Sequence, residues 1–244
     1  MNDSPKSLVA IAVETSGSQG SVLVARGETV LAGDTFKVEQ QHGVQLLPTV
    51  DSLSKKAGLQ PGDFDAIYVS GGPGSFTGLR IGITFAKAMA FALNCKVVRV
   101  PSLDVLAQNA LDLDPQPARV ISIFDAKRGN VFGRTFELRD GMYEPIDEPK
   151  ERAPREYLAQ HSPANILGAG VERHREVIDQ AAGITIAGSE YDFGRAEWVL
   201  KLGARLAAKN QFITLDELIP IYIRKPDAEE KWEARQAANA GSKE

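Results

Sequence analysis

The chain is short of most groups that do chemistry. Its 244 residues hold one cysteine, Cys95, so no internal disulfide can form and a reducing, cytoplasmic setting is expected. Cys95 itself reads as a small buried hydrophobe at a strand entry. The three histidines, His42, His161 and His174, are scattered, with no His-x-x-x-His, His-Glu-x-x-His or Cys/His cluster, which argues against a metal site. No Gly-x-Ser-x-Gly elbow occurs, and Ser75 lacks identifiable His and Asp partners. Positive charge is not in excess either. Lys and Arg number 28 against 32 Asp and Glu, giving a net charge of −4 and a pI near 5.5, with no basic stripe. A protein that grips nucleic acid unaided is thereby disfavoured, because phosphate binding draws on concentrated Lys and Arg. Residues 1–7 are polar, with no apolar run behind a positive start, so neither a secretory signal nor a membrane association is expected.

What is present is an ordinary globular composition, 43% apolar and 25% charged, long enough for one or two domains. The stretch Ala66 to Leu93 organises the rest. Ala66-Ile67-Tyr68-Val69 reads as a buried strand. Gly71 to Gly78 packs four glycines and a proline into eight residues and cannot hold a regular element. A helix then runs to about Leu93. Its polar side chains Arg80, Thr84 and Lys87 form one narrow stripe, so burial on nearly all other faces is expected. Gly78, Gly82, Ala86 and Ala90 recur every four residues and lay down a groove of small side chains. Such a groove admits a closely packed helix, either from the same domain or from another subunit.

The remaining elements follow a pattern that occurs twice. Leu8 to Glu14 and Arg119 to Asp125 are apolar strands ending on a carboxylate. Short loops, Thr15 to Ser18 and Ala126 to Gly129, lead to strands Ser21 to Ala25 and Val131 to Leu138. Arg26-Gly27-Glu28 turns the first repeat into a third strand, Thr29 to Phe36, and Asp140-Gly141 gives the second a hairpin. Helices are expected from about Gln41 to Ala57, opened or kinked by Pro48, and from Pro154 to Gln160. Strands follow at Lys96 to Val100 and Asn165 to Leu167, the latter leading through Gly168-Ala169-Gly170 into a helix from Val171. Ser102 is the expected N-cap of a helix Leu103 to Leu111, and Asp112 to Pro117 the expected linker. This duplication implies two related α/β domains, 7–111 and 118–224, facing each other across a cleft. Helix Phe193 to Lys209 is expected to cross back, Leu218 to Arg224 to be a last strand or packed segment, and 225–244 to be a frayed tail.

The glycine loop invites a phosphate, since strand, glycines and helix N-terminus together make an anion site. It is not a P-loop, because Leu79-Arg80 follows Gly78. Gly72-x-Gly74-x-x-x-Gly78 is one residue too long for a dinucleotide fingerprint, although Arg99 imitates an NADP-selecting arginine. Glu14 and Asp125 sit where a carboxylate holds nucleotide-bound Mg²⁺ through water, or where it caps a loop by accepting backbone N–H groups. With no second acid beside either, capping is favoured. Glu14, Gly72, Gly74, Ser75, Gly78, Asp125, Gly168 and Gly170 remain the candidate nucleotide or phosphate contacts of an ATP-dependent phosphotransferase.

The motif SGGPGSFTGLRIG (Ser70 to Gly82), followed by Ala86 to Ala107, resembles the TsaB (YeaZ) family of bacterial tRNA threonylcarbamoyladenosine proteins. Further matches are Val13 to Val22, Gln41 to Leu59, Asp125 to Phe132, Ile166 to Val171 and Ile219 to Pro226. The resemblance implies an actin/Hsp70-like (ASKHA) fold with mixed sheets flanked by helices. It implies a non-catalytic scaffold for threonylcarbamoyl (t6A) modification of adenosine 37 in tRNAs reading codons that begin with A. Such a chain pairs with a TsaD-like transferase, is joined by a TsaE-like ATPase, and meets tRNA only through the complex. No cofactor is implied for the isolated chain, and ATP enters at the complex level. The paralogous transferase carries a metal-binding His-x-x-x-His after its equivalent of Val97 to Val100, where this chain reads Pro101 to Leu106 without histidine. The resemblance points to Gly78, Gly82, Ala86 and Ala90, with Leu46, Leu47 and Val50, as the pairing surface, and homodimers are implied on a similar surface.

Overall fold

The computed structural model describes residues 7–37 and 42–223, so the expected tail at 225–244 lies outside the described residues. The first sheet is built outward from β1 (Val9–Glu14), which is buried along its whole length. β2 (Gln19–Arg26) and β3 (Thr29–Lys37) add antiparallel on one side. β4 (Ala66–Ser70) and β5 (Lys96–Val100) add parallel on the other, giving the order β3-β2-β1-β4-β5. Parallel neighbours need crossovers, and α2 (Phe76–Leu93) supplies the one between β4 and β5. α1 (His42–Lys56) precedes β4 and continues through Pro48 without ending.

The second sheet repeats that order. β6 (Arg119–Lys127) is flanked by antiparallel β7 (Asn130–Arg139) and β8 (Met142–Pro145) on one side, and by parallel β10 (Ala164–Leu167) and β11 (Ile184–Ile186) on the other. β9 (Lys150–Arg152) pairs with β7, α4 (Pro154–His161) precedes β10, and α5 (Arg175–Asp179) lies between β10 and β11. The duplicated strand order read from the sequence is therefore present, and β9 and β11 are two further strands that were not expected. The expected helix from Val171 is broken into a 3-10 turn at Glu172–His174 and the short α5.

Strand alternation assigns each sheet face to a different helix layer. Val9, Ile11 and Val13 of β1 face Leu46, Val50 and Leu53 of α1 and Ile83, Ala86 and Ala90 of α2. Ala10 and Ala12 face the opposite way, onto Val199 and Leu200 of α6 (Ala196–Ala208). α6 thus crosses back to the first sheet, with Gly203 so close to Tyr68 that a Cβ there would sit 2.5 Å from the ring. α3 (Ser102–Ala107) makes the reciprocal move, burying Leu103, Leu106 and Ala107 against Val120 and Phe124 of β6. α3 and α6 touch and form the layer between the two sheets.

Two local expectations differ. Ser102 does not cap a helix: its hydroxyl accepts from Gly72 N at 2.9 Å, and Pro101 occupies the cap position. The expected helix Leu103 to Leu111 ends at Ala107 and tightens into a 3-10 turn at Gln108–Asp112. Leu218 to Tyr222 is a packed segment, not a strand, with Leu218 fully buried. Cys95 is half-buried and donates its thiol to Phe64 O at 3.1 Å.

Candidate functional site

Glu14 ends β1 inside the protein. Its Oε1 accepts from both Ser16 N, at 2.5 Å, and Ser16 Oγ, at 2.6 Å, while Oε2 has no hydrogen-bond partner. Burial pushes its pKa up, and the bonds from Ser16 only partly offset that. Asp125 stands at the same place in the second repeat and makes the same turn, accepting from Lys127 N at 3.0 Å. It is more open and is flanked by two cations, with Lys127 Nζ at 2.7 Å and Arg173 Nε at 3.5 Å, while the ring of His174 places Nε2 at 3.3 Å. Burial raises its pKa, but the hydrogen bonds from Lys127 and His174 outweigh it and hold the carboxyl below the usual value. Both acids therefore cap the loop after their strand.

The first-repeat glycines close on the same loop. Gly74 packs on Ser16, whose carbonyl and Cβ would lie 2.5 and 2.8 Å from any added Cβ. Gly78 packs on the carbonyl of Thr15, and Gly72 on Ile221 O. Ser75 donates its N–H to Ser16 O at 2.7 Å, and its hydroxyl caps α2 by accepting from Gly78 N at 3.3 Å. Glycine is required here for backbone-to-backbone contact, and the start of α2 is satisfied from within the chain. Gly168 and Gly170 do the same in the second repeat, packing on Ile123 O and on the Phe124–Asp125 peptide. Gly194, from the segment before α6, rests against the Glu14 carboxyl, with Phe193 beside Gly17. Asn109 fixes that segment by donating to Tyr191 O and Phe193 O at 2.9 and 2.7 Å. The candidate phosphate residues thus fall into two sets, one in each repeat, with Gly72 and Glu14 of the first set also packed against Ile221 and Gly194.

Pro101 to Leu106 is equally committed. Ser102 serves Gly72 N, Leu103, Val105 and Leu106 are buried, and Asp104 pairs with Arg134 at 2.7 Å. Burial raises the Asp104 pKa to about 6 in spite of that arginine.

The small-residue stripe of α2, expected as a pairing surface, is packed inside the domain. Gly78 and Gly82 face Thr15, with Thr15 Oγ1 where a Gly82 Cβ would go, and Ala86 and Ala90 are buried in the first-sheet core. Leu46 and Val50 are buried there too, so of the seven expected interface residues only Leu47 is exposed. The outward side of α2 carries Phe76, Arg80, Thr84, Ala88 and Phe91. Phe91 is 81% exposed. Arg80 stacks on Phe76 at 3.9 Å from the ring centre, and Tyr222 lies beside Phe76 at 5.7 Å. The sequence held the signal for Phe91: Arg80, Thr84 and Lys87 define an outward stripe, and four residues on it reaches an aromatic. By length and composition alone α2 is apolar enough to span a membrane, yet its small-residue side is packed on the sheet.

Comparison with known proteins bears on this site. The family model TsaD, described as tRNA N6-adenosine threonylcarbamoyltransferase, matches residues 36–212. The chain belongs to that family. The tRNA threonylcarbamoyladenosine biosynthesis protein TsaB of Bacillus subtilis is 29% identical over 92% of this chain and 98% of its own length. Escherichia coli TsaB is 25% identical over 88% and 94%. A threonylcarbamoyltransferase from Anaeromyxobacter matches at 42% but over only 27% of this chain and 20% of its own length. The solved structure of YeaZ from Pseudomonas aeruginosa is 25% identical, covers 88% of this chain and 99% of its own, and has a TM-score of 0.76. The fold is the ASKHA-like one of that TsaD-type family.

Proposed function

We propose that this TsaD-family chain is a non-catalytic subunit in threonylcarbamoyl modification of adenosine in tRNA, acting by pairing with a TsaD-like transferase. The observation that carries the reading is the division of α2 into a packed inner side and an outer side bearing a nearly bare phenylalanine, Phe91, in line with Arg80 and Phe76. An exposed aromatic of that kind, with arginine in the same patch, has the make-up of an interface anchor. The near full-length relatives named TsaB support the pathway. A partner role over an enzymatic one is supported by the use of Glu14, Asp125 and both glycine loops for internal packing, which also speaks against the phosphotransferase reading. The proposed complex recruits a TsaE-like ATPase, and ATP belongs to that assembly in the cytoplasm.

The test is reconstitution. Purified chain, transferase, ATPase and a source of threonylcarbamoyl-AMP are combined with unmodified tRNA, and modified adenosine is read by mass spectrometry. Product is expected only when the chain and the transferase are both present. Product from the chain alone overturns the proposal.

A further inference from the structure

Arg99 and the start of the glycine loop, which suggest cofactor or phosphate binding in the sequence, hold a strap of the chain's own backbone. The strap runs from Ile213, bridged to Val97 on β5, to Tyr222. Arg99 Nη1 donates to Glu217 O at 3.1 Å and to Ile219 O at 2.9 Å. Ile221 N donates to Gly71 O at 2.6 Å, and Leu218 is fully buried in the first-sheet core. Two glycines are fitted to this arrangement. A Cβ on Gly71 would run into the Arg99 stem, and one on Gly72 would sit 2.7 Å from Ile221 O. Ser102 fixes Gly72 in turn, its hydroxyl accepting from Gly72 N and its N–H donating to Gly72 O, both at 2.9 Å.

The strap delivers Tyr222 to the outward side of α2. Its ring lies beside Phe76, and its hydroxyl is 3.5 Å from Arg80 Nε. Arg80 is stacked on Phe76, 3.9 Å from the ring centre. Phe76 and Tyr222 are 42% and 39% exposed, so these rings frame the guanidinium without covering it. With one face on a ring and Nε turned to a hydroxyl, Arg80 keeps its two Nη groups as the outward edge. That edge is the fork that takes a carboxylate through two parallel hydrogen bonds. Among the described residues no carboxylate pairs with it, and Glu217 on the strap is turned to Thr214 instead. Phe91 lies about 22 Å further along the same side of the helix.

We infer that Arg99 is a positioning residue of the pairing face: by tying the strap, it sets Tyr222 against Phe76 and presents the Arg80 fork to a carboxylate on the transferase. The inference rests on the proposed function for its partner and deepens it by naming the chemistry of the partner's surface, an acidic side chain among apolar ones. Charge complementarity supports that choice. In a chain of net charge −4, α2 carries Arg80 and Lys87 and no acid at all. A strap already tied in the free chain also loses less freedom on binding than one ordered at encounter.

Titration calorimetry of the transferase measures wild type, Arg99→Ala, Tyr222→Ala, these two combined, and Arg80→Gln, with a melting curve for each. Each single change is expected to weaken binding by about fivefold or more in a folded chain. Because Arg99 acts through Tyr222, the combined variant is expected to bind no more weakly than the weaker single one. Arg80→Gln is expected also to flatten the dependence of affinity on salt. A merely structural Arg99 would lower the melting temperature and leave the affinity of the folded chain unchanged, which overturns the inference. Additive losses in the combined variant overturn it too. If Arg99→Ala does not fold, wild-type affinity in folded Tyr222→Ala or Arg80→Gln overturns it all the same. Phe91→Asp keeps the two readings apart. If it weakens binding while Arg99→Ala and Tyr222→Ala do not, the inference alone fails. If it too binds like wild type, the proposed pairing face fails and takes the inference with it.

Discussion

At the scale of single residues, the same type of side chain does opposite work at the two repeat ends. Glu14 is sealed under Gly194 with one oxygen unpartnered, while Asp125 is open and flanked by two cations. Since burial favours the neutral form of Glu14, Glu14→Gln is expected to be neutral or stabilising at pH 7. Glu14→Ala leaves Ser16 N without its acceptor and is expected to cost about 1–3 kcal/mol in urea denaturation. Gly82 gives a sharper prediction. A side chain there meets Thr15 directly, so Gly82→Leu is expected to destabilise the free chain by about 1–3 kcal/mol or prevent its folding. A wild-type melting curve for Gly82→Leu would contradict that packing. The sequence shows that positions 78, 82, 86 and 90 form a stripe of small residues. It does not show which body fills the stripe, because a groove shaped for a close neighbour looks the same whether that neighbour is Thr15 or another chain.

At the scale of elements, the duplicated strand order was legible because apolar runs, terminal carboxylates and glycine turns punctuate both halves alike. The crossing of α6 was expected too, as a helix Phe193 to Lys209 returning between two facing domains, although β11 before it was not read. The reciprocal crossing of α3 was not. Six residues with a buried face carry no label for which sheet they cover. The packed segment near Leu218 was equally ambiguous, since Ile219 to Ile221 alternates with no partner strand among the described residues, and one arginine is among the groups that hold it. Arg99 Nη1 donates to Glu217 O at 3.1 Å and Ile219 O at 2.9 Å, while its stem fills the space above Gly71. Arg99→Ala is therefore expected to speed amide hydrogen exchange at Ile219 and Ile221 by about tenfold, with little change in β1. Equal exchange in the two proteins would mean that the Ile221 N to Gly71 O bond suffices to hold the segment.

At the scale of the whole molecule, the interleaved α3 and α6 make the two sheets one structure, and two carboxylates lie among the contacts that join them. Burial raises Asp104, on α3, and Asp192, which accepts from Gly168 N at 2.7 Å, to about 6. Between the ordinary value near 3.8 and about 6, the folded chain keeps protons that the unfolded chain has released. Their contribution therefore favours folding below that window and is lost as pH rises through about 6. His161, lowered by burial, acts in the opposite sense just below its ordinary value. The comparison that isolates the acids is wild type against Asp104→Asn/Asp192→Asn. The double variant is expected to gain stability relative to wild type as pH rises from about 4 to 7, by at most about 1.4 kcal/mol per pH unit for each acid. A constant difference across that range would contradict the raised values.

The proposed pairing with a transferase uses the outward side of α2. Titration calorimetry of the transferase with wild type and with Phe91→Asp decides it. At 81% exposure Phe91 contributes little to the chain's own core, so the variant is expected to melt like wild type yet bind at least about thirtyfold more weakly, or about 2 kcal/mol. Wild-type affinity in a folded Phe91→Asp would contradict the outward face of α2 as the pairing surface.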